Sequence, residues 1–144
     1  MRRFLFLAAL LFTVAALGDG PTVRASHVWI REAPPGTKVM AGYFTLENLT
    51  DKPLSLVEVS SPDFDSAMLH QSVEKNGVES MLPVDTLPIL AGTTIELKPG
   101  GLHVMLTGPK KNLFAGDLVT LMLKFSDQSE LAILAPVRRD PPGN

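Results

Sequence analysis

Met68-Leu69-His70-Gln71-Ser72-Val73-Glu74-Lys75-Asn76-Gly77-Val78-Glu79-Ser80-Met81-Leu82 is the stretch on which the fold turns. Two β-type runs flank Asn-Gly, the strongest short hairpin signal, because both residues tolerate the positive φ of a tight turn. With Asn76 and Gly77 as the central pair, Lys75 faces Val78 and every later pairing follows. Met81 then falls opposite Ser72, and Ser72 shares a face with His70 because side chains alternate along a strand. His70 and Met81 become diagonal neighbours on one face, at ~7–8 Å.

Similar runs extend in both directions. Strands are expected at 27–31, 42–47, 54–59, 67–74, 78–82, 93–97, 102–107, 118–125 and 131–137, separated by punctuation such as Ala33-Pro34-Pro35-Gly36 and Ser126-Asp127-Gln128-Ser129. Residues 93–97 and 102–107 are expected to form a second hairpin around Lys98-Pro99-Gly100-Gly101, and 118–125 with 131–137 a third. No stretch beyond the first 20 residues shows a 3.6-residue apolar period, so the fold class is all-β, a sandwich or small barrel.

The second of these hairpins bears on the chemistry. In Leu102-His103-Val104-Met105-Leu106 the three aliphatic residues belong on the core side, so His103 and Met105 leave it together. His70, Met81, His103 and Met105 are therefore the candidate metal ligands. Two imidazoles with two thioethers select Cu(I), one ion per chain. Thioether sulfur is soft and uncharged, which disfavours calcium and magnesium, and zinc sites use thiolate, imidazole and carboxylate. The chain has no cysteine, which excludes disulfides, a thiol nucleophile, an acylated cysteine within these residues and a blue-copper centre. His27, Met40 and Met122 read as surface or packing residues, and Trp29 and Tyr43 as core or core margin. Met68 shares a face with His70 and is a secondary candidate. Asp63, Asp65 and Asp85 read as turn residues.

Composition bounds the rest. A length of 144 residues with 45% hydrophobic and 19% charged side chains suits one globular domain. The formal charge of −2, without a basic stripe, argues against a nucleic-acid partner. Arg2 and Arg3, then an apolar run from Phe4 to Leu17 ended by Gly18-Asp19-Gly20-Pro21, follow the plan of a secretory signal peptide. The run is too short for the ~20 residues of a membrane span, so no stable membrane insertion is expected. The expected division is a leader over 1–18 (alternatively cleaved after 25), a copper-binding β domain over 19–137 and a flexible tail over 138–144. Loss of residues 1–18 removes two of 13 basic side chains and none of 15 acidic ones up to that point, leaving 11 against 15, or −4.

The spacing His70, ten residues, Met81, twenty-one residues, His103, one residue, Met105 matches the H-x10-M-x21-H-x-M motif, and the chain thereby resembles the PCu(A)C periplasmic copper chaperones. Ala41-Gly42-Tyr43-Phe44-Thr45-Leu46-Glu47-Asn48, the stretch Ile89 to Met105 and Phe114-Ala115-Gly116-Asp117 are similar to that family's segments. The resemblance implies a cupredoxin-like Greek-key β fold and periplasmic, or otherwise extracytoplasmic, Cu(I) delivery. The implied recipient is the CuA centre of cytochrome c oxidase subunit II, sometimes alongside Sco-type proteins. Some relatives carry a His- and Met-rich tail for a further copper ion. Residues 138–144 hold neither residue type, so a second site is not expected. A monomer and no enzymatic activity are expected: three histidines barely supply a redox copper site, and no Gly-x-Ser-x-Gly elbow occurs. Copper storage or resistance, and a metal-free interaction module, are the competing readings.

Overall fold

The computed structural model describes residues 20–143; the leader expected over 1–18 lies outside them. Ten strands and no helix occur among the described residues. They are β1 (Val23–Arg31), β2 (Val39–Asn48), β3 (Leu54–Ser60), β4 (Phe64–Lys75), β5 (Val78–Pro83), β6 (Leu87–Ile89), β7 (Thr94–Leu97), β8 (Leu102–Pro109), β9 (Leu118–Phe125) and β10 (Glu130–Arg138). The fold is the expected all-β, cross-connected arrangement. Strands hydrogen-bond in the order β5-β4-β8-β2-β1-β10-β9-β3-β6, with β7 on β2. A parallel seam between β1 and β10, at Ile30–Val137 and Arg31–Arg138, joins two antiparallel halves. Their apolar faces meet in one core that includes Phe44, Leu69, Val104 and Leu106 from one half and Leu56, Leu121, Leu123 and Phe125 from the other.

The β4–β5 hairpin has the register that Asn-Gly dictates. Asn76 and Gly77 have φ of 54° and 75°, Lys75 pairs with Val78 and Ser72 with Met81. The second expected hairpin is corrected. Lys98 N–H donates to the Leu102 carbonyl and closes the turn, but β7 pairs along its length with β2, from Phe44–Leu97 to Glu47–Thr94. β8 lies instead between β4 and β2. The third hairpin forms as expected, β9 on β10. β6 is an addition. Pro88, which a central strand would exclude, sits at its middle and is tolerated because β6 is an edge.

Asn48 is fully buried at the end of β2 and ties the loops there together. Its Nδ2 donates to the carbonyls of Lys52 (2.7 Å) and Ile89 (3.0 Å), and its Oδ1 accepts from the Thr50 N–H (3.0 Å) and hydroxyl (2.7 Å). Asn48→Ala strands these partners in the interior and is expected to cost about 3 kcal/mol, read as a lower denaturant midpoint at unchanged m-value.

Candidate metal centre

The β4–β8 ladder builds the site. Leu69, Val104 and Leu106 turn inward, so the residues between them turn to the other face. His70 is the direct cross-strand partner of His103, and Met68 of Met105. The β4–β5 ladder adds Met81, opposite Ser72, to this same face. The four candidate ligands thus occupy one face of three adjacent strands. Met81, His103 and Met105 together line a cavity of about 190 Å³, whose other walls include Arg31, Glu32, Pro34, Val39 and Ala41.

The two imidazoles are buried, His70 at 8% and His103 at 4% exposure, with ring centroids 5.9 Å apart and planes at 69°. Both leave a ring nitrogen without a partner: Nδ1 of His70 and Nε2 of His103. The tautomer of His103 follows from its contacts. Its Nδ1 lies 3.1 Å from the Gly101 carbonyl, and a carbonyl only accepts, so Nδ1 carries the proton and Nε2 presents a lone pair. A backbone carbonyl orienting the far nitrogen of an imidazole is the usual support for a metal-binding histidine. An unpartnered buried polar atom costs ~1–3 kcal/mol, and two on one face mark a place shaped for a ligand. Burial, and then the adjacent His103 ring, hold the His70 pKa below the ordinary 6.5, so His70 stays neutral into mildly acidic solution.

The one carboxylate lining this cavity is held by other partners. Glu32, at the cavity wall, accepts from the Ala115 N–H (2.9 Å) and from Arg139 Nε (2.7 Å), and these contacts, in that order, hold its carboxyl below the ordinary carboxylate value. Asp63 accepts from the Thr120 N–H at 3.0 Å. Among the described residues no three His, Asp or Glu side chains gather around a common point.

Other candidates fall where their surroundings put them. His27 is exposed, at φ 50°, where the β1–β2 register shifts, and sits on a strand away from the two paired histidines. Met40 is in the core, and Met122 is half-buried on β9. Trp29 and Tyr43 are buried but outside the core cluster. Alternation on β1 and β2 puts them on the face of the four candidate ligands, with ring centroids 4.8 Å apart and planes tilted by 35°, and Arg31 lying 5.3 Å over the indole. Sequence reading missed the Gly101 carbonyl, for which only the tight Gly100-Gly101 turn was a signal.

Comparison with known proteins agrees with this architecture. The fold superposes on the copper-bound PCuAC domain from PmoF2 with a TM-score of 0.70, at 25% identity over 83% of this chain and 95% of that one. It superposes on the solution structure of CuI-DR1885 from Deinococcus radiodurans with a TM-score of 0.68, at 32% identity over 88% and 84%. The fold is that of a PCuAC domain. Residues 23–137 match the family model described as "Putative lipoprotein LpqE-like". The chain is also 35% identical over 117 residues to "Putative lipoprotein Lxx21020" of Leifsonia xyli subsp. xyli, covering 81% of this chain and 69% of that protein. The chain belongs to the LpqE-like family.

Proposed function

We propose that this protein is an exported Cu(I) metallochaperone that holds one ion between His70, Met81, His103 and Met105. The observation that carries the reading is the pair of unpartnered buried imidazole nitrogens on the face that also presents Met81 and Met105. Two neutral nitrogens and two neutral sulfurs suit a soft monovalent ion and leave its +1 charge uncompensated. The copper in the two superposed structures, named as CuI in one of them, supports this reading.

The chemistry is binding and release without turnover. His103 Nε2 and His70 offer the firm donors, oriented before the ion arrives, while Met81 on an exposed strand closes the site. Delivery is assigned to the CuA centre of cytochrome c oxidase subunit II, with Sco-type proteins as co-workers, in the periplasm or an equivalent compartment. Export is supported by the leader pattern of residues 1–18 and by the lipoprotein description of the relatives. No helix among the described residues is long and apolar enough to span a membrane.

An anaerobic Cu(I) titration tests the binding, with an expected stoichiometry of one and no uptake of Zn(II) at the same site. Mixing the loaded protein with an apo subunit II CuA domain tests delivery. Copper is expected to move faster than from an equal amount of free Cu(I). Equal rates would leave a storage protein, and no binding a metal-free module.

A further inference from the structure

Met68 has no part in the core and none in the four-residue site. It is two residues from His70 on β4 and the direct partner of Met105 on β8, so its thioether rises from the same face with its Cβ ~4.5–5.5 Å from that of Met105. Its exposure is 49%, and it belongs to no buried cluster. Packing does not call for a methionine here: Ser66, next on that face of the strand, is exposed and polar. Met68 does not line the cavity shared by Met81, His103 and Met105. It lines a separate cleft of about 200 Å³ with Pro83, Val84, Asp85 and Glu58. A soft sulfur in a cleft whose lining includes two acidic residues, directly across the ladder from Met105, is suited to a monovalent soft cation in transit: the negative charge raises its local concentration and the thioether gives it a first bond.

We propose that Met68 is a transfer ligand, the outer thioether through which Cu(I) enters and leaves the buried site; this rests on the copper reading above. On release, a bond from copper to the Met68 sulfur forms as the bond to Met105 breaks, and a donor of the recipient then replaces the site's remaining ligands. Copper stays Cu(I), both thioethers stay neutral, and no proton or electron moves. A residue in this role changes rates in both directions and leaves the equilibrium in place.

The test uses the apo chain loaded anaerobically with Cu(I) and the chelator bicinchoninate as acceptor. In Met68→Leu, which keeps the volume, copper release is expected to slow about tenfold while the dissociation constant stays within about twofold of wild type. In spectra of chain labelled with ¹³C at the methionine methyls, the Met68 resonance is expected to broaden at sub-stoichiometric copper while Met122 is unmoved. An unchanged release rate overturns the proposal, and so does a tenfold weaker equilibrium affinity, which would make Met68 a resident ligand. Failure of the wild-type chain to bind Cu(I) is a separate result that defeats the copper reading itself.

Discussion

Replacing His103 by alanine is expected to abolish stoichiometric Cu(I) binding, with the affinity falling by more than about 100-fold. Loss of a partner that merely orients a metal ligand already costs ~10–100-fold, and His103 is proposed as the ligand itself. The structure makes this the most damaging of the four single changes. His103 is the most buried of them, its tautomer is set by the Gly101 carbonyl, and its free nitrogen lies on the same face as the other three candidates. The effect separates cleanly from folding. Copper at about 100 times its dissociation constant adds ~2.7 kcal/mol to stability, a rise of about 10 °C in Tm for a domain of this size. Wild type is expected to show that rise and His103→Ala none, while circular dichroism shows the variant still folded without copper. A variant that keeps the copper-dependent rise would remove His103 from the site.

The second large effect is acid release. Thioethers take up no protons in this range, so the imidazoles alone make binding pH-dependent. The lowered pKa of His70 sets the sign: its neutral form survives below the ordinary 6.5, so copper is retained through mildly acidic solution and lost below that lowered value. As His70 takes up its proton, the affinity falls toward a limit of about tenfold per pH unit from this residue. His70→Met exchanges this titrating donor for a thioether and is expected to remove that contribution to the slope. Competition titrations from pH 7 to pH 4 read it directly. The same shift destabilises the copper-free protein in acid. The unfolded chain binds a proton at His70 more readily than the native one, so stability declines as pH falls through 6.5 toward the lower native value.

The parts of this molecule legible in the sequence were those controlled by neighbours along the chain. Asn76-Gly77 specified its own turn, and with it the pairing of Met81 with Ser72. The alternation of Leu102 to Leu106 placed Val104 in the core and His103 with Met105 outside it. Partners distant in sequence were not legible. Nothing in 93–107 reveals that β7 leaves β8 for β2, because the turn at Lys98–Leu102 is compatible with either ladder. The direct opposition of His70 and His103 depends on β4 choosing β8, a contact between residues 33 positions apart in sequence. The short β6 was hidden by Pro88, whose meaning depends on knowing that the strand is an edge. Trp29 and Tyr43 look like core residues by type, and only the alternation of their strands assigns them to the face of the four candidate ligands.

One proposed donor, Met81, rides on an edge strand of the fold. All six residues of β5 are exposed, and it hydrogen-bonds to β4 alone, along a sheet edge. Fraying of that hairpin would withdraw Met81 while the His70–His103 pairing of β4 with β8 stays in place. On the proposed copper reading, the ion would be held on one side by the paired imidazoles of β4 and β8 and on the other by a donor on an edge hairpin, so its hand-over to the outer thioether of Met68 would require only a local opening, far smaller than unfolding.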